Sequence, residues 1–388
     1  MHAAHRRPRR RQERRRPGRL SPPEAPRRNR ELYIDAFRGL MALVMVQGHV
    51  CDFLLSAEVR RTGLYELQLL FHGSTAPGFL FASGFVAGLP RAPLSPRAAL
   101  RRARRLLFVL AVGYWLHLPY FSLGKTLAAS PAEKAALFAC HALQLIAVVQ
   151  LFVLALQLAF PRRWTAVTGG LAAIVTLAGP AVWASGLSQA LPAALAPYVD
   201  ERTGSSFPIF PYAAFVLAGT LAGTTLGRQA AAPRHRREAA TGLVLLVFGL
   251  VLSWAFAGRV DFWKISPGYV LLRLAFLLLL LRGVEAAASR FLLGTKALAL
   301  LGRESLLVYV LHLLCLYGGV LFGTSPLLAL AGRLSFPATL GILGAMFPLL
   351  FAAAWAWHRA KAASPARAQL ALAFAAAWFT FAFILRPW

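Results

Sequence analysis

The feature that most constrains this chain is a series of apolar runs, each of about 17 to 25 residues, that recurs along its whole length. A helix of that length crosses roughly 30 Å of hydrocarbon, whereas the alternation of facing residues typical of membrane barrels is absent. Charged residues make up only 14% of the chain, against about 25% in ordinary soluble domains. The sequence therefore predicts an all-α, polytopic membrane protein with about eleven transmembrane helices, the first near residues 32–56 and the last near 368–385.

The distribution of positive charge predicts the orientation. Twelve of the 42 lysines and arginines precede Glu31, 19 lie in loops expected on the cytoplasmic side, and 9 lie on the opposite side. The positive-inside rule then predicts a cytoplasmic amino terminus. We expect the protein to be integral to the cell (inner) membrane. We expect residues 1–31 to be a disordered basic tail near anionic lipid, and 32–388 to form the membrane domain. Because the charge follows the topology, the net charge of +28 predicts no nucleic-acid partner.

The first predicted span carries four ionisable residues, which are costly in hydrocarbon and often functional. They are Asp35, Arg38, His49 and Asp52. Arg38 and His49 are three helical turns apart, so they share one face and lie roughly 16 Å apart along the axis. This geometry suits a charged donor held at one interface, with its reactive end at a base deeper in the membrane. The alternative is that Arg38 only pairs with Asp35 and His49 only bonds a backbone carbonyl.

Histidines indicate a second group of polar residues. Five of the nine are expected at one level of the bilayer, towards the outer side: His49, His72, His117, His141 and His312. No spacing of histidines and carboxylates typical of metal sites accompanies them, so the pattern favours an acid–base cavity, and we expect no metal.

Three further stretches are polar or small where lipid would disfavour them. The second span begins with the small and helix-breaking residues 72–79, which let the backbone approach either a ligand or a neighbouring helix. Ser305, Tyr309 and His312 share a helical face, preceded by Arg303 and Glu304, which could be an interfacial ion pair. Arg273 inside the eighth span is a candidate for an anionic group. Substrate-binding candidates are therefore His141, Gln144, Arg273, Ser305, Tyr309 and His312.

The segment Ile34-Asp35-Ala36-Phe37-Arg38-Gly39-Leu40, continuing to His49, resembles the opening of the transmembrane acyltransferase superfamily, whose hallmark is an Arg and a His separated by ten residues in the first helix. Residues 72–84, 207–212 and 301–312 are similar to the heparan-α-glucosaminide N-acetyltransferase-like branch, as are residues 264–267 with Arg273. Together these stretches spread over most of the chain after residue 31.

The resemblance implies an acyltransferase that moves an acyl group, usually acetyl, from cytoplasmic acyl-coenzyme A to a sugar or glycan acceptor across the membrane. It implies coenzyme binding by Arg38 and Asp35 and by a basic second loop, residues 97–105, that contains Arg101, Arg102 and Arg105. It implies catalysis by His49, His72 and Asp52. In that branch the position of His49 can be Asn, with a functional His in the following loop. That loop position is Arg60 here, so His49 and His72 both stay candidates for the base. The sequence does not decide between direct transfer to the acceptor and a mechanism with an acetyl-histidine intermediate. It also leaves open whether the protein is a homodimer.

The alternative from another class is a non-catalytic transporter or a lipid or glycan exporter, because buried Arg, Asp and His also build proton-coupled pathways. Transporters commonly contain internal repeats, which are not apparent in this sequence, so the enzyme is favoured.

Overall fold

The computed structural model describes residues 25–89, 94–118, 121–227, 231–322, 325 and 327–386. Within these residues the fold is all-helical, and the only β feature is an isolated bridge between Leu55 and Leu334. The helices are α1 Ala25–Leu54, α2 Gly63–His72, α3 Thr75–Gly88, α4 Pro96–Trp115, α5 Leu123–Ala128, α6 Pro131–Leu137, α7 Ala142–Ala159, α8 Trp164–Ser185, α9 Ile209–Leu226, α10 Ala231–Ala255, α11 Phe262–Ile265, α12 Pro267–Arg290, α13 Leu292–Arg303, α14 Ser305–Phe322, α15 Phe336–Ala363 and α16 Pro365–Leu385.

Eight stretches of helix in the described part of the chain are long and apolar enough to cross a membrane. They lie in α1, in α2 with α3, and in α7, α8, α9, α10, α15 and α16, and the bent pair α13–α14 would make a ninth. The expected count of about eleven is therefore not confirmed. The third and eighth expected spans, residues 106–123 and 268–281, correspond to the long helices α4 and α12. The arginines of α4 lie before its apolar stretch, at 97–105, whereas α12 has Arg273 and Arg282 within its apolar stretch.

Helix α1 begins earlier than expected. It starts at Ala25, so residues 25–30 of the tail that we expected to be disordered are helical. Extending a formed helix adds one hydrogen bond per residue, and arginine is a good helix former, so a basic segment can continue a long helix outwards. Residues 1–24 of that tail lie outside the described residues.

Helices α3 and α9 pack through glycines on both sides. A Cβ on Gly84 would lie 2.0 Å from the carbonyl oxygen of Val216, and one on Gly219 would lie 2.1 Å from that of Phe81. Gly88 and Gly223, each four residues further on, meet the opposite backbone in the same way. Lipid provides no hydrophobic drive for helices to associate, so backbone-to-backbone packing at small residues is how such helices hold together.

Helix α1 lies between the two apolar clusters of the described bundle. Its Ile34, Phe37 and Met41 pack with α3, α9 and α12, whereas its Val46 and Leu54 pack with α14 and α15. The polar residues of α1 are therefore placed between two walls of packed helices rather than in lipid.

The chain bends by 73° between α13 and α14, at Glu304. The buried Glu304 carboxylate accepts hydrogen bonds from His358 (2.9 Å) and Lys361 (2.6 Å), both on α15. Arg303 instead bonds Asp35, so the ion pair between Arg303 and Glu304, which the sequence left open as an alternative, is not formed. These contacts direct the amino-terminal end of α14 towards α1.

Candidate active site

A single cavity of ≈ 1250 Å³ runs beside α1 and contains both Arg38 and His49 in its lining. The arginine end, as we call it, is lined by Arg38, Arg102, Arg105 and Arg303. The histidine end is lined by His49, His72, Arg273 and the aromatic residues Phe207, Tyr212, Trp263 and Tyr269. Ordinary small-molecule sites occupy about 300–1000 Å³, so this cavity is large enough to hold two substrates at once.

At the arginine end, α1 and α14 meet through Arg38. Its Nη2 donates to Ser305 Oγ at 2.8 Å, and its Nη1 lies 3.6 Å from Asp35 Oδ1. Arg303 Nε donates to Asp35 Oδ2 at 2.8 Å, so Asp35 holds two arginines in place. Arg38 therefore contacts Ser305 as well as Asp35, and it also lines the cavity. The amino-terminal end of α14 adds a partial positive charge here.

The basic segment after the second span differs from the expectation. Residues 97–105 do not form a loop but belong to α4, which begins after the Ser95 cap. Helical spacing directs Arg102 and Arg105 to the cavity, and Arg102 Nη1 also donates to Gln157 at 3.1 Å. Arg101 is exposed and is not among the cavity-lining residues of the described structure. Arg303, which the sequence suggested only as an ion-pair partner, takes its place.

At the histidine end, hydrogen bonds define the tautomer of His49. His312 Nδ1 lies 2.9 Å from the carbonyl oxygen of Val308, which can only accept, so this nitrogen carries the proton. In a neutral imidazole His312 Nε2 is then an acceptor, and it lies 2.8 Å from His49 Nδ1. His49 therefore donates from Nδ1, and its Nε2 keeps a free lone pair. Because His49 lines the cavity, that lone pair is available to a substrate.

His72 lies beside His49 but has different partners. The two rings meet edge to face, with centroids 5.3 Å apart. His72 Nε2 is 3.5 Å from Asp52 Oδ2, and Asp52 Oδ1 accepts a hydrogen bond from Tyr65 at 2.8 Å. His72 Nδ1 is buried against Gly48, without a hydrogen-bond partner among the described residues. His72 is therefore oriented by Asp52, which does not itself line the cavity.

The five histidines expected at one level form two groups. His49, His72 and His312 meet as described, whereas His117 and His141 stack on each other with centroids 3.9 Å apart. The second pair is held by Gly113 and Ser206, and neither histidine is among the described residues that line the cavity. Gln144 is fully buried near Gly113 and is likewise not among the lining residues. These two substrate-binding candidates, His141 and Gln144, therefore do not line the cavity, although Ala142 and Leu143 between them do.

Arg273 supports the turn that carries His72. Its Nη1 donates to the carbonyl oxygen of Leu70 (3.1 Å) and to Ser74 Oγ, and its guanidinium lies 5.3 Å from the Tyr269 ring centroid. Arg273, on α12, also lines the cavity, as do Ser305 and Tyr309 of α14. His312, the third α14 candidate, is fully buried and is not among the lining residues of the described structure.

Aromatic residues at the histidine end were missed from the sequence, because periodicity does not separate a cavity-lining aromatic from a lipid-facing one. Trp263 stands on the short helix α11, which Lys264 ties to the segment before α9 through a 2.7 Å hydrogen bond to Glu201. This hydrogen bond and the Glu201 charge raise the pKa of Lys264 above its ordinary value. We call the four residues Phe207, Tyr212, Trp263 and Tyr269 the aromatic wall. Trp263 is held in part by this contact of α11, whereas the other three lie in or against the apolar core.

Comparison with protein families supplies one match. Residues 30–257, more than half of the chain, match the family described as "Heparan-alpha-glucosaminide N-acetyltransferase, catalytic". A search of curated proteins finds no significant match. The matched part contains Arg38, His49 and His72, whereas Arg273, Ser305 and His312 lie after it.

Proposed function

Because this chain belongs to the heparan-α-glucosaminide N-acetyltransferase catalytic family, we propose that it moves an acetyl group from acetyl-coenzyme A to a sugar or glycan amine through the cavity beside α1. The observation that carries this proposal is the continuity of that cavity, which joins a cluster of arginines to a histidine with a free lone pair. The membrane acetyltransferase class follows from the family; donor, acceptor and sidedness are our proposals. The same match favours an enzyme over a transporter.

Coenzyme binding is assigned to the arginine end. A coenzyme A molecule carries a pyrophosphate and a ribose phosphate, and guanidinium groups bind phosphate oxygens through charge-assisted hydrogen bonds. Arg38, Arg102, Arg105 and Arg303 supply these groups, with the amino-terminal end of α14 beside them. The thioester then reaches along the cavity towards the histidine end.

His49 is the proposed base. Its Nε2 accepts a proton from the acceptor amine as the nitrogen attacks the thioester carbonyl. The carbon–sulfur bond breaks, coenzyme A leaves as the thiol after taking up that proton, and the acceptor keeps the acetyl group as an amide. Tyr309 also lines the cavity, and its hydroxyl makes no hydrogen bond to a described residue. It is our candidate to donate to the developing oxyanion.

His72 and Asp52 support this step rather than carry it. Asp52 Oδ2 lies 3.5 Å from His72 Nε2, so this carboxylate orients the His72 ring, which meets the His49 ring edge to face. The acceptor sugar is assigned to the aromatic wall, because flat apolar rings with few polar groups are typical of orienting surfaces in such cavities. With the amino terminus cytoplasmic, the arginine end faces the cytoplasm and the acceptor side lies across the inner membrane.

The test uses purified protein in liposomes, with labelled acetyl-coenzyme A and a panel of amino sugars and glycans. We expect His49→Asn to lower turnover by about two or more orders of magnitude with coenzyme binding retained. His72→Asn should have a smaller effect in the same assay. Arg38→Ala should weaken coenzyme binding at least about tenfold without unfolding.

Each variant has an outcome that would contradict the proposal. Wild-type turnover in both histidine variants would make the histidine cluster structural. A larger loss at His72 would move the base to that residue, and unchanged coenzyme affinity in Arg38→Ala would restrict Arg38 to its contacts with Asp35 and Ser305.

A further inference from the structure

A second polar cluster lies outside the cavity, where α10 begins and α12 ends. It contains His235 and Glu238, one helical turn apart on α10, and Glu285 on α12. One ligand atom from each residue lies within 4.8 Å of the other two. The neighbouring Arg234 guanidinium stacks 5.6 Å from the Tyr33 ring of α1, so the cluster is at the same end of the bundle as Arg38.

Arg234 divides the carboxylate oxygens of this cluster into two sets. It contacts Oε1 of Glu285 and lies 3.7 Å from Oε1 of Glu238. On the other side, His235 Nε2 faces Glu285 Oε2 at 3.4 Å, although the geometry is not that of a hydrogen bond. Arg282, which is more exposed, approaches Glu285 Oε2 only to 3.8 Å.

Ion pairing alone leaves part of the cluster unsatisfied. Glu238 is only 3% exposed, yet its Oε2 makes no hydrogen bond to any described residue. His235 Nε2 is also a buried atom with no hydrogen-bond partner in the described structure. Buried polar atoms are normally paired, so ion pairing with Arg234 alone does not account for these two atoms.

The facing atoms of His235, Glu238 and Glu285 match the donor set of a divalent transition metal. One imidazole nitrogen and two carboxylate oxygens are ligands of zinc and of its first-row neighbours. Two ligands about 2.1 Å from a tetrahedral zinc ion lie roughly 3.4 Å apart, which is the separation of His235 Nε2 and Glu285 Oε2. Arg234, by binding the outer oxygens, would orient both carboxylates, as residues around metal ligands commonly do.

We propose that His235, Glu238 and Glu285 bind one divalent transition-metal ion, with zinc as the best fit, and that the ion joins α10 to α12 beside α1. The site is independent of the acetyl-transfer chemistry. The sequence predicted no metal, and it did not indicate this site because Glu285 lies far along the chain from His235 and because Arg234, Arg236 and Arg237 make the segment a basic run.

The experiment is a zinc titration of the full chain purified in detergent after treatment with EDTA and its removal. His2 and His5 are replaced by Asn in every sample, so that the tail histidines contribute nothing. We expect one zinc per chain by calorimetry and elemental analysis, with a rise of several degrees in the thermal midpoint. Mg²⁺, which prefers all-oxygen octahedral sites, should give no such rise.

Three variants complete the test. Glu238→Gln removes one ligand charge with little change in shape, and it should weaken zinc binding at least tenfold; His235→Asn should do the same. Glu201→Gln is the matched control, because Glu201 pairs with Lys264 elsewhere in the chain, and its zinc affinity should equal that of the parent. A parent protein that binds no zinc at about 100 μM overturns the proposal. So does parental zinc affinity in folded His235→Asn, and this variant decides the matter if Glu238→Gln fails to fold.

Discussion

At the level of single residues, the tautomer of His49 depends on His312. We expect His312→Leu to lower turnover at least about tenfold, because Nδ1 of His49 loses its acceptor and the ring is free to carry its proton on Nε2. His312→Gln is the matched variant: its amide oxygen can still accept from His49, so it should keep more activity than Leu. The Michaelis constant for acetyl-coenzyme A should change in neither. Equal turnover of the two variants would show that hydrogen bonding at this position is irrelevant.

Gly48 gives a second prediction at this scale. A Cβ at Gly48 would lie 1.7 Å from His72 Nδ1, so Gly48→Ala must displace the imidazole. We expect turnover to fall at least about tenfold with coenzyme binding unchanged, if His72 assists the base as proposed. Gly341→Ala on α15 is the control, because a Cβ there meets nothing within 4 Å. Parental turnover in Gly48→Ala would mean that the position of His72 is not important for catalysis.

At the level of helices, the glycine contacts between α3 and α9 determine how closely these two helices pack. Gly219→Ala would place a Cβ 2.1 Å from the Phe81 carbonyl oxygen, and backbone cannot move aside as a side chain can. We expect a lower thermal midpoint, with a cost of about 1–3 kcal/mol. Gly170→Ala on α8, where a Cβ meets nothing within 4 Å, should leave the midpoint unchanged or raise it. Equal midpoints for the two variants would contradict close packing at this crossing.

At the level of the whole molecule, the path of the chain predicts that Arg234 and the carboxy terminus lie on opposite sides of the membrane. Arg234 stacks on Tyr33 near the start of α1, whereas the carbonyl oxygen of Arg386 accepts a hydrogen bond from Ser122, which follows His117 at the far end of α4. Reporters inserted at Arg234 and at the carboxy terminus should therefore lie on opposite sides of the membrane, with Arg234 cytoplasmic. Finding both on one side would end this topology.

The amino-acid sequence by itself determined the class of fold and the polar face of α1. In a bilayer every backbone group must be satisfied within the protein, so long apolar runs can only become helices, whatever their partners. The helical period likewise places Arg38 and His49 on the same face of α1, and both line the same cavity. These are local properties, and they can be obtained from spacing alone.

Only the tertiary structure decided which residues meet. The expected group of five histidines became His49 with His72 and His312 on one side and His117 with His141 on the other. His49 and His312 are 263 positions apart, and their contact depends on where the chain bends at Glu304 and on how α15 holds that carboxylate. Helical period states which way a side chain faces but not which helix it faces. That choice is made by the fit of distant surfaces, such as the glycine contacts of α3 and α9.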